Sequence, residues 1–321
     1  MRRLLQIGFV ISVMVAPCAD AAEKYPTERI RIVMPFPPGG ATDILAREIA
    51  ERFQDRFGIP VIVDARPGAS GTIGSDQVAK SPPDGSVLLL MSTHHTINPS
   101  LFKKLPYDTR QDFTPLAVVA TAANALAVSA KLPASNIKEL IALEKKEPGT
   151  LNYGSAGFGS ANHLSGELFN SMAGTKMVHI PFQGAAPALT ALLGGHISVL
   201  FNSLTTLLPY TGGDKLRILG VTSAERDESM PDVPTIDEAG VKGYAAIAWF
   251  GLYGPAHMQL ATRAILDEAL RDILTSARIR ENFARIGVQP GKVTGEAFAK
   301  FVDEEMVKWA SVVKDAGMKP E

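Results

Sequence analysis

The stretch RIRIVMPFPPGGATD, residues 29–43, decides how the chain is read. Arg29–Met34 reads as a strand that ends at Pro35. A proline- and glycine-rich turn follows, and a helix runs over Asp43–Phe57. Leu45, Ile49, Phe53 and Phe57 line one side of that helix, and Gly58 and Pro60 end it. A strand, a glycine turn and a helix in succession form the unit of an α/β protein.

Outward from this unit the pattern repeats. Strands are expected at Val61–Asp64 and Val87–Met91, with a helix from about Thr72 to Lys80 between them. Leu116–Val128 is alanine-rich and apolar, suiting one buried strand that leads into a second unit. Strands at Asn152–Ser155, Met177–Ile180, Ile197–Phe201 and Leu216–Thr222 then alternate with helices at Ala161–Met172, Ala186–Leu193 and near Thr205. Ala246–Tyr253 is a late strand, and Leu260–Ile286 and Glu296–Ala316 are amphipathic helices. Strands separated by helices imply parallel-rich sheets covered on both faces. The expected division places residues 24–122 with 246–321 in one domain and 123–245 in the other.

The N-terminus sets the compartment. Arg2 and Arg3 precede the apolar run Leu4–Pro17, and Ala19-Asp20-Ala21 follows as a cleavage site. The run is too short to span a bilayer core of roughly 30 Å. Residues 1–21 are therefore expected to be a signal peptide and the mature chain periplasmic. The one cysteine, Cys18, would leave with it, excluding disulfides, thiolate nucleophiles and cysteine-bound zinc. The net charge of −1 and the lack of a basic stripe argue against nucleic acid and anionic lipid as partners.

Four glycine-bearing turns carry the functional signal: Pro35–Asp43, Arg66–Gly71, Tyr153–Ser160 and Pro181–Ala185. Each joins the carboxyl end of a strand to the amino end of a helix, the edge where open α/β sheets bind ligands. Helix amino ends offer unpaired N–H groups to an anion, and glycine lets the backbone approach it. One such turn is ordinary in any α/β protein. Four on the same edges point to a small anion held between two halves without arginine.

Enzyme motifs are missing. Gly157-Phe158-Gly159 starts a dinucleotide fingerprint, but Asn162 stands where its third glycine would be. There is no P-loop, no Gly-x-Ser-x-Gly elbow and no H-E-x-x-H helix, so no catalytic residue, metal or cofactor is expected. His94 and His95 would point to opposite sides of an extended chain, which disfavours joint metal binding. His163 sits where it can touch a ligand or cap its helix, and His179 reads as structural. Asp43 caps its helix, bonds a ligand through water, or does both. Trp249 and Phe250 read as core. Two other readings stay open: a receptor that signals to a sensor, and a secreted hydrolase or isomerase with His163 or His94 as base.

The motifs taken together resemble the periplasmic receptors of tripartite tricarboxylate transporters, the Bug-type receptors. They comprise Pro35–Gly40 with Asp43, Arg66–Ala69 with Gly71, and Tyr153–Gly157 with Ser160, His163 and Leu164. Pro181–Gly184 with Pro187–Leu189 follows, then Pro231–Thr235 with Glu238–Gly240, and Trp249–Leu252. The resemblance implies a two-domain α/β periplasmic-binding-protein (Venus-flytrap) fold with a ligand cleft between the domains. It also implies delivery of a small organic acid to a two-subunit membrane transporter. Carried across by position, the ligand contacts would be Phe36, Pro37, Pro38, Gly39, Asp43, Gly157, Ser160 and Ala161, with His163 beside them. Thr93, His94, Gln183, Gly184 and Asn202 would line the rest. Gln183 stands where lysine is common and Asn202 where aspartate is common. The ligand is accordingly expected among di- and tricarboxylates, aromatic carboxylates, amino acids and uncharged amides.

Overall fold

The computed structural model describes residues 25–320 except Thr27 and Gly212. The expected signal peptide, with Cys18, lies outside the described residues. The chain begins with β1 (Ile30–Met34), α1 (Ala41–Phe57), β2 (Val61–Ala65), α2 (Thr72–Ala79), β3 (Val87–Ser92), α3 (His94–Leu101) and β4 (Phe113–Ala122). Next come β5 (Asn124–Ser129), α4 (Ile137–Lys146), β6 (Asn152–Ser155), α5 (Ala161–Ala173) and β7 (Val178–Pro181). They are followed by α6 (Ala185–Gly194), β8 (Val199–Ser203), α7 (Leu204–Leu207) and β9 (Leu216–Val221). The chain ends with β10 (Ala248–Pro255), α8 (Leu260–Thr275), α9 (Ala277–Arg285), β11 (Gln289–Pro290) and α10 (Gly295–Asp315).

These strands form two sheets, ordered β11-β4-β10-β3-β1-β2 and β7-β6-β8-β5-β9. Three neighbouring strands are parallel in each, β2-β1-β3 and β7-β6-β8. β10 then runs antiparallel to β3 and β4, and β5 antiparallel to β8 and β9. Strand β1 shows why its run is apolar apart from Arg31, which pairs with Asp64. Ile30, Ile32 and Met34 enter the core under α1, while Val33 enters the core on the other face.

The expected single strand over 116–128 is two. Ala122 still pairs with Ala248 in the first sheet, whereas Asn124 pairs with Ser203 in the second. Ala123 is the crossing residue, invisible to a periodicity argument because both sides are equally apolar. The chain returns between Ala246, whose N–H donates to Thr222 O at 2.8 Å, and Ala248. The helix expected over 260–286 also divides. Ser276 Oγ accepts the Ile279 N–H at 3.3 Å and starts α9 afresh.

His94 and His95 are not extended; they open α3, which places their side chains about 100° apart around a helix. Helix α10 serves both sheets. Phe298 and Val302 are buried in the first core, and Trp309, Val312 and Val313 in the second. Between them Glu305 is 4% exposed, and its Oε2 accepts both indole N–H groups, from Trp249 at 2.9 Å and Trp309 at 2.8 Å. The Lys308 ammonium contacts its Oε1 and donates to Ala245 O at 3.3 Å.

Candidate functional site

The carboxyl ends of β1, β2 and β3 and of β6, β7 and β8 carry the loops that the sequence singled out. The second-half glycine loop approaches the first half at α3. A Cβ on Gly159 would lie 3.0 Å from Leu101 Cδ1, so the second-half glycine loop rests against α3.

In the first loop Pro37, Pro38 and Gly39 are exposed. Gly39 has φ +91° with open space around it, so its conformation rather than crowding calls for glycine. Asp43 folds this loop back. It is 6% exposed; its Oδ2 accepts the Gly39 N–H at 2.9 Å and its Oδ1 pairs with Arg47 Nε at 2.8 Å. The half-buried Phe36 ring tilts against His94 at 5.5 Å. His94 Nδ1 lies 2.9 Å from Ser92 Oγ, and burial pushes its imidazole down to about 4. Thr93 is buried: its Oγ1 accepts from Trp249 N–H at 3.0 Å, tying α3 to β10.

The second-half loop is held from below. Ser160 caps α5, its Oγ accepting from His163 N–H at 3.2 Å and donating to Gly157 O at 2.7 Å. Gly157 and Gly159 have φ of +129° and +70°. His163 Nδ1 accepts the Gly159 N–H at 3.1 Å, so its hydrogen sits on Nε2, which lies 3.6 Å from Glu167 Oε1. His179 stacks on His163 at 3.7 Å and meets Ser155 Oγ through Nε2 at 2.7 Å. Burial, and secondarily His163, push His179 down to about 4. Ser155 and His179 have the separation of a nucleophile and its base. Ser155, however, is fully buried, and its hydroxyl also bonds within its own loop to Gly157. The group is a support for the glycine loop.

Gln183 is exposed on the β7–α6 loop, and Gly184, with φ +114°, precedes α6. Asn202 is 1% exposed and ties β8 to α6: its Nδ2 donates to Ala185 O at 3.0 Å, and its Oδ1 accepts the Ser203 N–H at 2.8 Å. The structure thus places Phe36–Gly39, Asp43 and His94 at the carboxyl ends of the first sheet's parallel strands and Gly157, Ser160, Ala161, Gln183 and Gly184 at those of the second. Thr93, His163 and Asn202 are buried beside them. Sequence reasoning passed over Phe158, which is 58% exposed between two glycines of positive φ and packs on His163 at 5.1 Å. An aromatic flanked by glycines in a loop was the available signal.

Among the described residues of these loops the one cation is Arg66, and it pairs with Asp64 at 3.0 Å. A groove of about 270 Å³ lies on the α7 side of the crossing, lined in part by Ala123, Leu204, Asp227, Glu228 and Gln289. Its two carboxylates make it unsuited to an anion. No cluster of metal-ligating side chains occurs among the described residues.

Comparison with known proteins agrees with the geometry. A family model described as tripartite tricarboxylate transporter family receptor matches residues 45–318. BugT of Bordetella pertussis is 34% identical over 320 residues, 99% of this chain and 98% of its own. R. palustris Rpa4515, solved with adipate, is 34% identical with a TM-score of 0.76, covering 92% of this chain and 100% of that one. MatC of Rhodopseudomonas palustris, solved with bound malate, is 30% identical with a TM-score of 0.72, covering 90% and 100%.

Proposed function

The chain belongs to the tripartite tricarboxylate transporter receptor family, and we propose that it captures a small organic carboxylate and delivers it to a membrane transporter. Its fold is the two-sheet Venus-flytrap form of that family. On this reading residues 24–122 with 246–321 and residues 123–245 close about a hinge at Ala123 and Ile247, and the ligand lies between the two rims. Export through residues 1–21 would put the capture in the periplasm.

One observation carries the reading. Glycine loops sit at helix amino ends in both halves, the second-half loop lies against α3 of the first half, and their described residues include no free cation, so backbone N–H groups would supply the positive potential. Malate and adipate in the two relatives are small carboxylates of the size such a cleft takes. Phe36 and the exposed Phe158 give the cleft an apolar wall on each side, suited to the carbon chain of such an acid.

The reading is tested by thermal shift of the purified chain against dicarboxylates, aromatic carboxylates, amino acids and amides. A true ligand at a hundredfold excess over its Kd should stabilise by about 2.7 kcal/mol. A flat response across all four classes would remove the receptor reading. Within the site, Asp43→Ala should weaken binding by roughly 1–3 kcal/mol, because the Gly39 N–H and the Arg47 guanidinium both lose their acceptor. Calorimetry with a preserved fold checks this, and unchanged affinity would take Asp43 out of the site.

A further inference from the structure

Asn124 is the first residue after the crossing at Ala123, and it stands opposite Ser203 at the carboxyl end of β8. That end of the sheet bears the second-half loops. Along β5 side chains alternate, and Leu126 and Val128 share the core that α5 covers with Leu164, Leu168 and Phe169. Asn124 therefore points toward α5, at the level of its first turn. The contact is direct: Asn162 Nδ2 donates to Asn124 Oδ1 at 3.3 Å. Asn162 adjoins Ala161, whose N–H is among the first of α5 and has no intrahelical acceptor.

The backbone of Asn124 is fully used. Its N–H donates to Thr222 Oγ1 at 3.2 Å, and its carbonyl accepts from Thr222 N–H at 2.9 Å and Oγ1 at 3.1 Å. The side-chain Nδ2 is different: it is buried, on a residue 3% exposed, and has no hydrogen-bond partner. Folded proteins satisfy nearly all such donors, and an arriving acceptor is one of the reasons for an exception. The unmet amide donor thus belongs to a side chain bonded to Asn162 in the first turn of α5, and an amide N–H and a helix amino end both favour an anionic oxygen.

Resting on the receptor reading above, we infer that Asn124 and Asn162 form the amide clamp that binds the ligand carboxylate, taking the place of the free cation missing among the described residues of the glycine loops. A carboxylate held there is bound one residue from the crossing strand, which ties occupancy of the cleft to the position of the hinge. The clamp is neutral, so the bound carboxylate keeps its charge unpaired by any side chain, and affinity should depend little on ionic strength.

The test is calorimetric titration of the full chain with succinate, malate and adipate as probes. Asn124→Asp replaces the donor by an acceptor of the same shape and should weaken binding of whichever probe the unaltered chain takes by roughly 100-fold. Asn162→Ala, at a half-buried position outside the sheet, should weaken it roughly tenfold while leaving the unliganded melting temperature in place. Should Asn124→Asp fail to fold, Asn162→Ala alone decides. Binding by the unaltered chain with variants within twofold of it would overturn the clamp and leave the receptor reading standing. Binding of no probe by the unaltered chain would instead overturn the carboxylate-receptor reading, and the clamp with it.

Discussion

Glu305→Leu is expected to destabilise the fold by about 3–5 kcal/mol, a large share of what holds a domain of ordinary stability together. The carboxylate is buried in α10 and is the shared acceptor of the chain's two tryptophans, one on β10 and one on α10 itself. Leucine keeps the volume but leaves two buried indole N–H groups without a partner and the Lys308 ammonium with only Ala245 O. Each orphaned indole donor costs about 1–3 kcal/mol, and the effects overlap because both meet one group. Glu305→Gln retains one carbonyl acceptor and should lose less than half as much. Urea unfolding followed by tryptophan fluorescence reads both the stability and the indole environment. A loss under about 1 kcal/mol for the leucine variant would mean that the carboxylate does not hold α10 to β10.

Falling pH should begin to destabilise this protein from about 6.5, above the ordinary range of its carboxylates. Burial lowers His94 to about 4 and His95 to about 3, and burial with His163 lowers His179 to about 4, all from an ordinary 6.5. The sign follows from which state takes up the proton. Below about pH 6.5 the unfolded chain protonates these rings and the folded chain does not, so protonation favours unfolding. The stability they allow is fully present above pH 6.5, falls between there and pH 4 to 3, and is lost below. His95 is the sharpest case. It is fully buried among Tyr107, Phe113 and Tyr253, and neither ring nitrogen has a partner. Its share is roughly 3 kcal/mol by pH 4.5, at about 1.4 kcal/mol per pH unit. His94 and His179 are partly open to water, which screens their charge, and contribute less. His95→Phe should therefore flatten the pH dependence by the share of one histidine and leave stability at pH 8 intact. Urea midpoints from pH 8 to 4.5 check it; equal slopes for the two proteins would show that His95 does not resist protonation.

Much of the fold was legible because it is written in local patterns. Apolar runs of four to six residues, helical stripes such as Leu45–Ile49–Phe53, and glycines at strand-to-helix turns each need only a few neighbouring residues to be recognised. The same locality made the rims legible, since Phe36–Gly39, Asp43, Gly157, Ser160 and Ala161 are parts of turns. Helix α3 escaped because Pro99 lies within it and its two histidines carry no stripe. The crossing at Ala123 escaped because an alanine-rich strand has the same composition whichever sheet it joins.

What only the tertiary structure decided are the relations between distant residues. The antiparallel entry of β10 between β3 and β4 joins residue 248 to residue 122, and no local preference specifies that pairing. His163 read equally as a ligand contact or a support until Gly159, Glu167 and His179 were found around its ring. Asn124 looked like any polar residue in an apolar run. Burial with an unmet donor, beside a helix amino end 38 residues away, is what sets it apart. The sequence by itself determined the elements and the glycine loops at their carboxyl edges. The tertiary structure decided which polar side chains are spent on the fold and which keep an unmet donor, because a hydrogen bond is counted only once both partners are in place.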